Sequence, residues 1–562
     1  MRFRDFQLTD RSAMDSKTFI IFASTTLAVL IPVAFLYRLW FSSTAESAKK
    51  GEINEPKAII IHPEPAKYIR DLAIALPDSL ILPTDVLAFN ASLKVWFSLQ
   101  NRDIIPACIV KPKNEQEISL ALTHLRREHS IRAKDGTTVG QGLFAVRAGG
   151  ANPATGISGV KDGVILDLSL LCDIKPSADG SSVVVGAGAY WRDVYRVLEA
   201  RGLGVVGGRS SPVGVGGSTL QGGLSFWSPK FGMICNNVIS YQVVLADGSI
   251  VTASADENDD LWRSLKGGGN NFGVVSQFTL RSFPAPKNIW TGTFATPGFL
   301  STRTIRAFYD HGERAMSGKP GLFDEHASTP ILSLSYITNL GIKMHFCHMA
   351  YTNPSDNGND WPEYWKRSPF RSLWRFQNTS KNESLHDSVT TLGSFSDTDD
   401  RNVFGTTTIK SDLATLLAVR QIFSDATPSI KHVKNCMFIY ITQMVLPQWI
   451  NKGDPNVLGL EECQEPLVII SFAVNWGTAE DDEAVTGAVR RTISRIEEFA
   501  AANGTAHPYR FSNHAAEWQK PLQGYGKNNL RVLQDVSKKY DPEGLFQTGF
   551  LGGFKLDIGQ NS

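Results

Sequence analysis

The chain has 562 residues, of which 42% are apolar and 20% charged, a composition that supports several folded domains and excludes a disordered chain. Lys plus Arg number 56 against 55 Asp plus Glu, a net charge of +1. That balance gives no electrostatic footprint for nucleic acid or a strongly anionic macromolecule.

The first element is an uncharged run, Thr18 to Tyr37, between Lys17 and Arg38. As a helix it spans ~30 Å, the thickness of a bilayer's hydrocarbon core. Tyr37, Trp40 and Phe41 suit an interfacial belt. The run reads as one N-terminal transmembrane helix anchoring a lumenal or extracellular body. A cleaved signal is the alternative, because Ser43 and Ala45 resemble a cleavage site. Sequons at Asn90, Asn378, Asn382 and Asn503 agree with a secretory route and a glycoprotein. Residues 42–56 read as a linker. The six cysteines form no Cys-x-x-Cys, so one or two disulfides are compatible with them but no pairing can be read. His345, Cys347 and His348 in "MHFCHM" read as a packed strand rather than metal ligands, since His348 points away from the other two; no metal site is expected.

From Pro106 short apolar runs alternate with amphipathic stretches. "CIVKP" (108–112) and "VILDLS" (164–169) read as strands. "SVVVGAGAYWRDVYRVLEARG" reads as strand, turn and helix, with Trp191, Val194, Tyr195 and Leu198 on one face. A hairpin follows around Asp247-Gly248, then a capped helix in "NDDLWRSLKGGG" and the strand "FGVVSQFTL". Pro284 and Pro286 mark a boundary, after which strands become aromatic. The helix Glu483 to Ala502 carries a stripe of Val485, Val489, Ile493, Ile496 and Phe499. The last stretch reads as helix then turn, with Asn528 as a candidate N-cap.

Between Gly202 and Gly223, nine of twenty-two residues are glycine. "GLGVVG" spells a dinucleotide fingerprint, but a helix precedes it where a strand is required, and Arg209-Ser-Ser-Pro212 follows where a helix is required. The glycines suit instead a planar ligand crossed closely by main chain. A plain interdomain loop is the competing reading.

"FAVRAGGANP", "VGVGGSTLQGGLSFWSPKFGMICNNVISYQVVLADGSIV", "DLWRSLKGGGNNFGVVSQFTL" and "YGKNNLRVLQDVSKKYDPEGLF" resemble, in order, the FAD-linked oxidoreductases like berberine bridge enzyme, within the vanillyl-alcohol oxidase superfamily, and most closely their fungal members. The resemblance implies an α+β chain: a two-subdomain PCMH-type FAD-binding domain over 106–284, a substrate domain with an antiparallel sheet flanked by helices over 285–505, and a C-terminal segment, 506–562, returning to the FAD. Residues 1–50 would be anchor or signal and 51–105 an extension. It also implies that Arg147, Ala148, Gly149, Gly150, Ala151, Asn152 and Pro153 wrap the pyrophosphate. Val213, Gly214, Gly216, Gly217, Ser218 and Leu220 would run along the flavin. Asn237, Val238, Gly273, Val274 and Asn528 would also meet the cofactor.

Two departures stand out against the family pattern. Ala151 occupies the position of the histidine that many relatives bond to the flavin, and Ser210 that of a second attachment cysteine. FAD is therefore expected to be non-covalent. His514 falls where relatives carry a tyrosine base and is the expected base; Tyr525 and Asn513 are weaker candidates for orienting substrate. The implied activity is oxidation of a small, secondary-metabolite-like molecule, with hydride passing to FAD and O2 as acceptor. A non-redox cyclisation in the same pocket, or an inactive FAD-fold binding protein, are the rivals. No nicotinamide partner has a motif.

Overall fold

The computed structural model describes residues 64–136, 142–354, 358–394 and 399–557. The apolar run Thr18 to Tyr37 and the linker lie outside them. Among the described residues no helix is long and apolar enough to cross a membrane.

The first sheet is built from β1 (Leu80–Ile81), β2 (Cys108–Val110), β3 (Phe144–Arg147) and β4 (Val164–Asp167), in the order β1-β2-β4-β3. β2, β4 and β3 are parallel, and β1 is antiparallel to β2. β2 and β4 are apolar and buried almost without interruption, as strands covered on both faces require. The helix Glu115–Lys134 packs through Ile118, Ala121, Leu122 and Leu125, and the Asn114 side chain caps it by accepting from the Glu117 amide at 2.9 Å. β1 lies in the extension upstream of Pro106, so the first sheet begins earlier than the sequence pattern suggests.

The second sheet is antiparallel: β5 (Ile174–Pro176), β6 (Ser182–Gly186), β8 (Val238–Val244), β9 (Ile250–Ser254) and β10 (Val274–Pro284) run β5-β6-β10-β8-β9, with β7 (Leu203–Val205) also on β10. The helix Trp191–Glu199 buries Trp191, Val194, Tyr195 and Leu198, as its periodicity predicts. The β8–β9 hairpin turns at Asp247-Gly248: Gly248 has φ +86° and the Ser249 amide donates to Asp247 Oδ1. The helix Asp259–Leu265 departs from expectation. Asn258 at its start is left-handed, and its side chain donates to the Thr252 carbonyl instead of capping.

The third sheet has eight antiparallel strands: β11 (Ile289–Pro297), β12 (Ile331–Ile337), β13 (Ile342–Tyr351), β14 (Gln377–Glu383), β15 (Arg401–Lys410), β16 (Met437–Val445), β17 (Leu467–Trp476) and β18 (Ala506–His507), ordered β14-β11-β13-β12-β16-β17-β15-β18. One face is apolar and covered by helices. Ile305 and Phe308 of Ser301–Met316, and Leu416 and Val419 of Leu413–Ala426, meet Leu332, Tyr440 and Thr442 there. Val489 and Ile493 of Asp482–Ala502 press on Gly405. His345 and Cys347 lie on this face, with His345 Nε2 2.8 Å from Ser301 Oγ; His348 points to the other. The six cysteines are all unpaired.

A buried ion pair closes the ends of β3 and β4. Arg147 Nη2 sits 2.6 Å from Asp167 Oδ2, both side chains essentially inaccessible, and Nη1 donates to the Ser92 carbonyl at 2.7 Å. The guanidinium also lies 4.0 Å from the Trp96 ring centre. Burial by itself raises the Asp167 carboxyl; Arg147 and Lys111 outweigh it and hold the group below its usual range. A carboxylate depressed in the folded state adds stability above its unfolded pKa and withdraws it as pH falls through the folded one. Asp167→Asn should therefore cost about 3 kcal/mol at pH 7 in denaturant unfolding, and flatten the loss of stability below about pH 4. Wild-type stability in the variant at pH 7 would contradict this.

Candidate functional site: a main-chain cradle and a polar sheet face

The turn after β3 leads into the first half of the site. Gly150 adopts φ +62°, and the amides of Gly149, Gly150, Ala151 and Asn152 donate to no described residue. Asn152 Oδ1 accepts from the Ala154 amide at 2.9 Å, while its Nδ2 is buried without a partner. Successive free amides at a left-handed turn form a concavity for an anion. Ala151 is half-buried in this turn, and Pro153 is buried with its carbonyl accepting from Asn101. The Arg147 side chain does not join them: its guanidinium is held by Asp167 and the Ser92 carbonyl.

The glycine-rich run forms the second wall. A β-carbon on Gly149 would lie 2.7 Å from Gly214 Cα, and one on Gly216 3.0 Å from Ala148 Cβ, so the two segments meet main chain to main chain. The remaining glycines answer mainly to protein neighbours. Gly207 and Gly208 clear the Trp191 indole, and Gly223 clears Ile234. Gly217 alone between Gly207 and Gly223 faces open space. The crowding is thus largely chain on chain rather than room kept for a planar ring. Val213 accepts from the Trp191 amide and Leu220 from the amides of Gly267 and Gly269. Ser218 Oγ accepts from Trp191 Nε1 at 2.8 Å, and Thr219 Oγ1 is buried without a partner.

The other family positions divide. Asn237 Nδ2 donates to the carbonyls of Phe231 and Met233, and the Val238 carbonyl accepts from Trp262 Nε1. Gly273 is pressed against Val243 and the Val244 carbonyl, and Val274 pairs with Val244. These two pairs stand at opposite ends of the β8–β10 ladder, so the structure does not bring them together. Cys235 is buried packing, its thiol pushed up to about 12 by desolvation.

The C-terminal segment returns to the run through Asn513. Its Nδ2 donates to the Ser218 carbonyl at 3.0 Å and its Oδ1 accepts from the Gly223 amide at 3.2 Å. This clamp was legible only as a weak candidate for orienting substrate; both ends of its amide are spent on the loop. His514 follows on the adjoining turn, half-buried, with its ring centroid 5.0 Å from those of Phe404 and Phe511. Its imidazole hydrogen-bonds to no described residue. Burial, and then the Arg209 charge, lower it to about 4, so it is neutral at pH 7. Tyr525 takes a different place from the one expected: its buried hydroxyl lies 2.6 Å from Ser512 Oγ and 3.2 Å from the Gly267 carbonyl, and burial raises its pKa, making it an anchor for the segment. Asn528 is exposed in the first turn of Lys527–Tyr540, where Gly526 is the N-cap. The buried neighbour, Asn529, holds Glu461 and the Tyr525 carbonyl.

The remaining wall is the face of the third sheet turned away from those helices. Thr293, His348, Ile331, Gln443, Ile469 and Thr408 stand side by side across six strands, and Phe404 shares their face. Thr293 Oγ1 is 3.0 Å from His348 Nδ1. Arg209 donates to Gln443 Oε1 and ties this face to the glycine run. Neither residue is visible as a site member from the sequence, being 234 positions apart; the one signal was a lone cation inside a glycine run. Unpartnered amides, Asn152 Nδ2 and Thr219 Oγ1 fit a dinucleotide held by main chain.

A family profile described as an FAD binding domain matches residues 106–254. The chain is 30% identical to "FAD-dependent monooxygenase tpcD" of Cochliobolus heterostrophus, over 82% of this chain and 87% of that protein. It is likewise 30% identical to "Bifunctional solanapyrone synthase" of Alternaria solani, over 80% and 82%. Its fold resembles 6-hydroxy-D-nicotine oxidase of Arthrobacter nicotinovorans, with a TM-score of 0.64 and 20% identity over 84% of this chain and 97% of that one. Likeness at this level along most of its length places the chain in the berberine-bridge-type family of FAD-dependent oxidoreductases, among its fungal secondary-metabolism members.

Proposed function

We propose that this enzyme oxidises a small natural-product-like substrate, that it holds FAD without a covalent bond, and that dioxygen takes the electrons to give hydrogen peroxide. When bound, FAD supplies the hydride acceptor. The observation that carries the reading is the His514 imidazole, neutral and free of hydrogen bonds to the described residues, between the Asn513-clamped glycine run and the polar sheet face. A ring nitrogen of His514 takes the substrate proton as hydride leaves the neighbouring carbon. Phe404 and Phe511 pack against the ring and hold it in place. The activities for which the relatives are named, a monooxygenase and a solanapyrone synthase, support the substrate class, and the oxidase of similar fold supports dioxygen as acceptor.

Non-covalent attachment rests on Ala151 and Ser210, neither of which offers the imidazole or thiol of the family's linkages. Acid precipitation should leave yellow colour in the supernatant; a yellow pellet would contradict it. His514→Ala should retain FAD and lose at least ~100-fold in turnover. Because the base must be neutral, kcat/KM should stay level from about pH 8 to about pH 5 and fall as pH drops through about 4. A limb near pH 6.5 would assign the proton elsewhere.

Membrane anchoring is also part of the proposal, supported by Thr18 to Tyr37. Asn90, Asn378 and Asn503 are exposed and open to glycosylation, whereas Asn382 Oδ1 is buried in β14. Alkaline carbonate should leave the full chain in the membrane pellet; release into the supernatant would favour a cleaved signal.

A further inference from the structure

Arg209 is an electrostatic anomaly. Its guanidinium donates to Gln443 Oε1, a neutral group, and no described carboxylate lies within ion-pair distance. The groups close enough to feel or perturb its charge are Tyr195, His348 and His514. None of them is an anion at neutral pH: both imidazoles are held neutral, and the Tyr195 hydroxyl donates to the Gly208 carbonyl. Desolvation is strong enough to bring even this guanidinium down to about 10, so it stays charged at pH 7. Three other cations held out of water meet carboxylates, Arg147 at Asp167, Arg401 at Asp103 and Asp482, and Lys266 at Asp454, whereas Lys555 donates to the Phe546 carbonyl. Arg209 is partly buried, and a cation held largely out of water without a counter-charge is costly until an anion meets it.

A second observation points the same way. His348, nine-tenths buried, leaves Nε2 without a partner. It lies in the same cross-sheet row as Gln443, both opposite Ile331. Thr293 Oγ1 lies 3.0 Å from Nδ1, and in the tautomer in which the hydroxyl donates, Nε2 carries the proton and is a second donor within reach of the Arg209 charge. Phe226, 5.7 Å from His348, and Phe404 supply apolar walls.

We infer that Arg209, seconded by His348 Nε2, is the recognition site for a delocalised oxyanion on the substrate, so that this enzyme acts on small organic acids, either carboxylates or acidic enols and phenols. Arg presents a planar fork that matches two oxygens of such a group. This deepens the oxidase reading, since the anion would be bound on the sheet face adjoining His514. It also separates roles: Arg209 positions the substrate, and His514 takes the proton.

Calorimetric titration of the purified holoenzyme with cinnamate and its neutral isostere cinnamamide, and with 4-nitrophenolate and nitrobenzene, tests this. Each anion should bind about 30-fold tighter than its neutral partner. The carboxylate and phenolate arms separate the two acid types. Arg209→Gln should abolish the preference while the flavin absorbance is retained. Gln443→Glu, which gives Arg209 an internal counter-charge, should do the same with the arginine still present. Equal binding of acids and neutral isosteres, or an unchanged preference in both variants, would overturn the inference. So would loss of FAD from Arg209→Gln with the anion preference intact, because the guanidinium would then serve the cofactor. A protein that carries no FAD yet binds the anions through Arg209 would instead sink the oxidase reading and leave this one standing.

Discussion

Gly149 and Gly214 meet so closely that a β-carbon on either would stand 2.7 or 2.8 Å from the other's Cα, a distance no side chain survives. This one approach joins the turn at the end of the first sheet to the helix Val215–Leu220. It turns the amides of Gly149 to Asn152 into one rim of a cradle and the glycine run into the other. Asn513 then fastens the far side by bridging Ser218 and Gly223, which carries His514 to the same edge. Folding the last segment back is therefore what completes the site.

The third sheet makes its contribution through asymmetry. Period-two alternation sends Leu332, Cys347, Thr442 and Ile470 toward the helices, and Thr293, His348, Gln443 and Thr408 toward the glycine run. Polar groups held on this buried face, with Arg209 reaching Gln443 from the glycine run, are suited to orienting a polar substrate. The buried Arg147–Asp167 pair is the opposite case, a cation met by a carboxylate that ties the ends of β3 and β4.

Elements whose signal is local were legible. The Trp191 to Leu198 face, the Asp247-Gly248 hairpin and the stripe on Asp482–Ala502 each follow from short-range periodicity or turn chemistry. What failed depends on partners distant in sequence. β1 has only two residues and exists because β2 lies beside it. Gly207 and Gly208 are glycines because of an indole above them, which composition cannot distinguish from a ligand. Arg147 finds Asp167, and Gly526 displaces Asn528 as the cap, through contacts made only in the folded chain. The family resemblance located the cradle, but not the substitution of backbone packing for cofactor space along most of the run.

The account turns on main chain gripping FAD where Gly149 and Gly214 touch. Gly214 has φ −75°, a conformation open to alanine, so Gly214→Ala changes only the space between the two segments. Measured as FAD bound per chain after purification, with far-ultraviolet circular dichroism confirming the fold, this variant should bind FAD about 10-fold more weakly, as forced overpacking implies. A folded Gly214→Ala protein with wild-type FAD affinity would contradict the account.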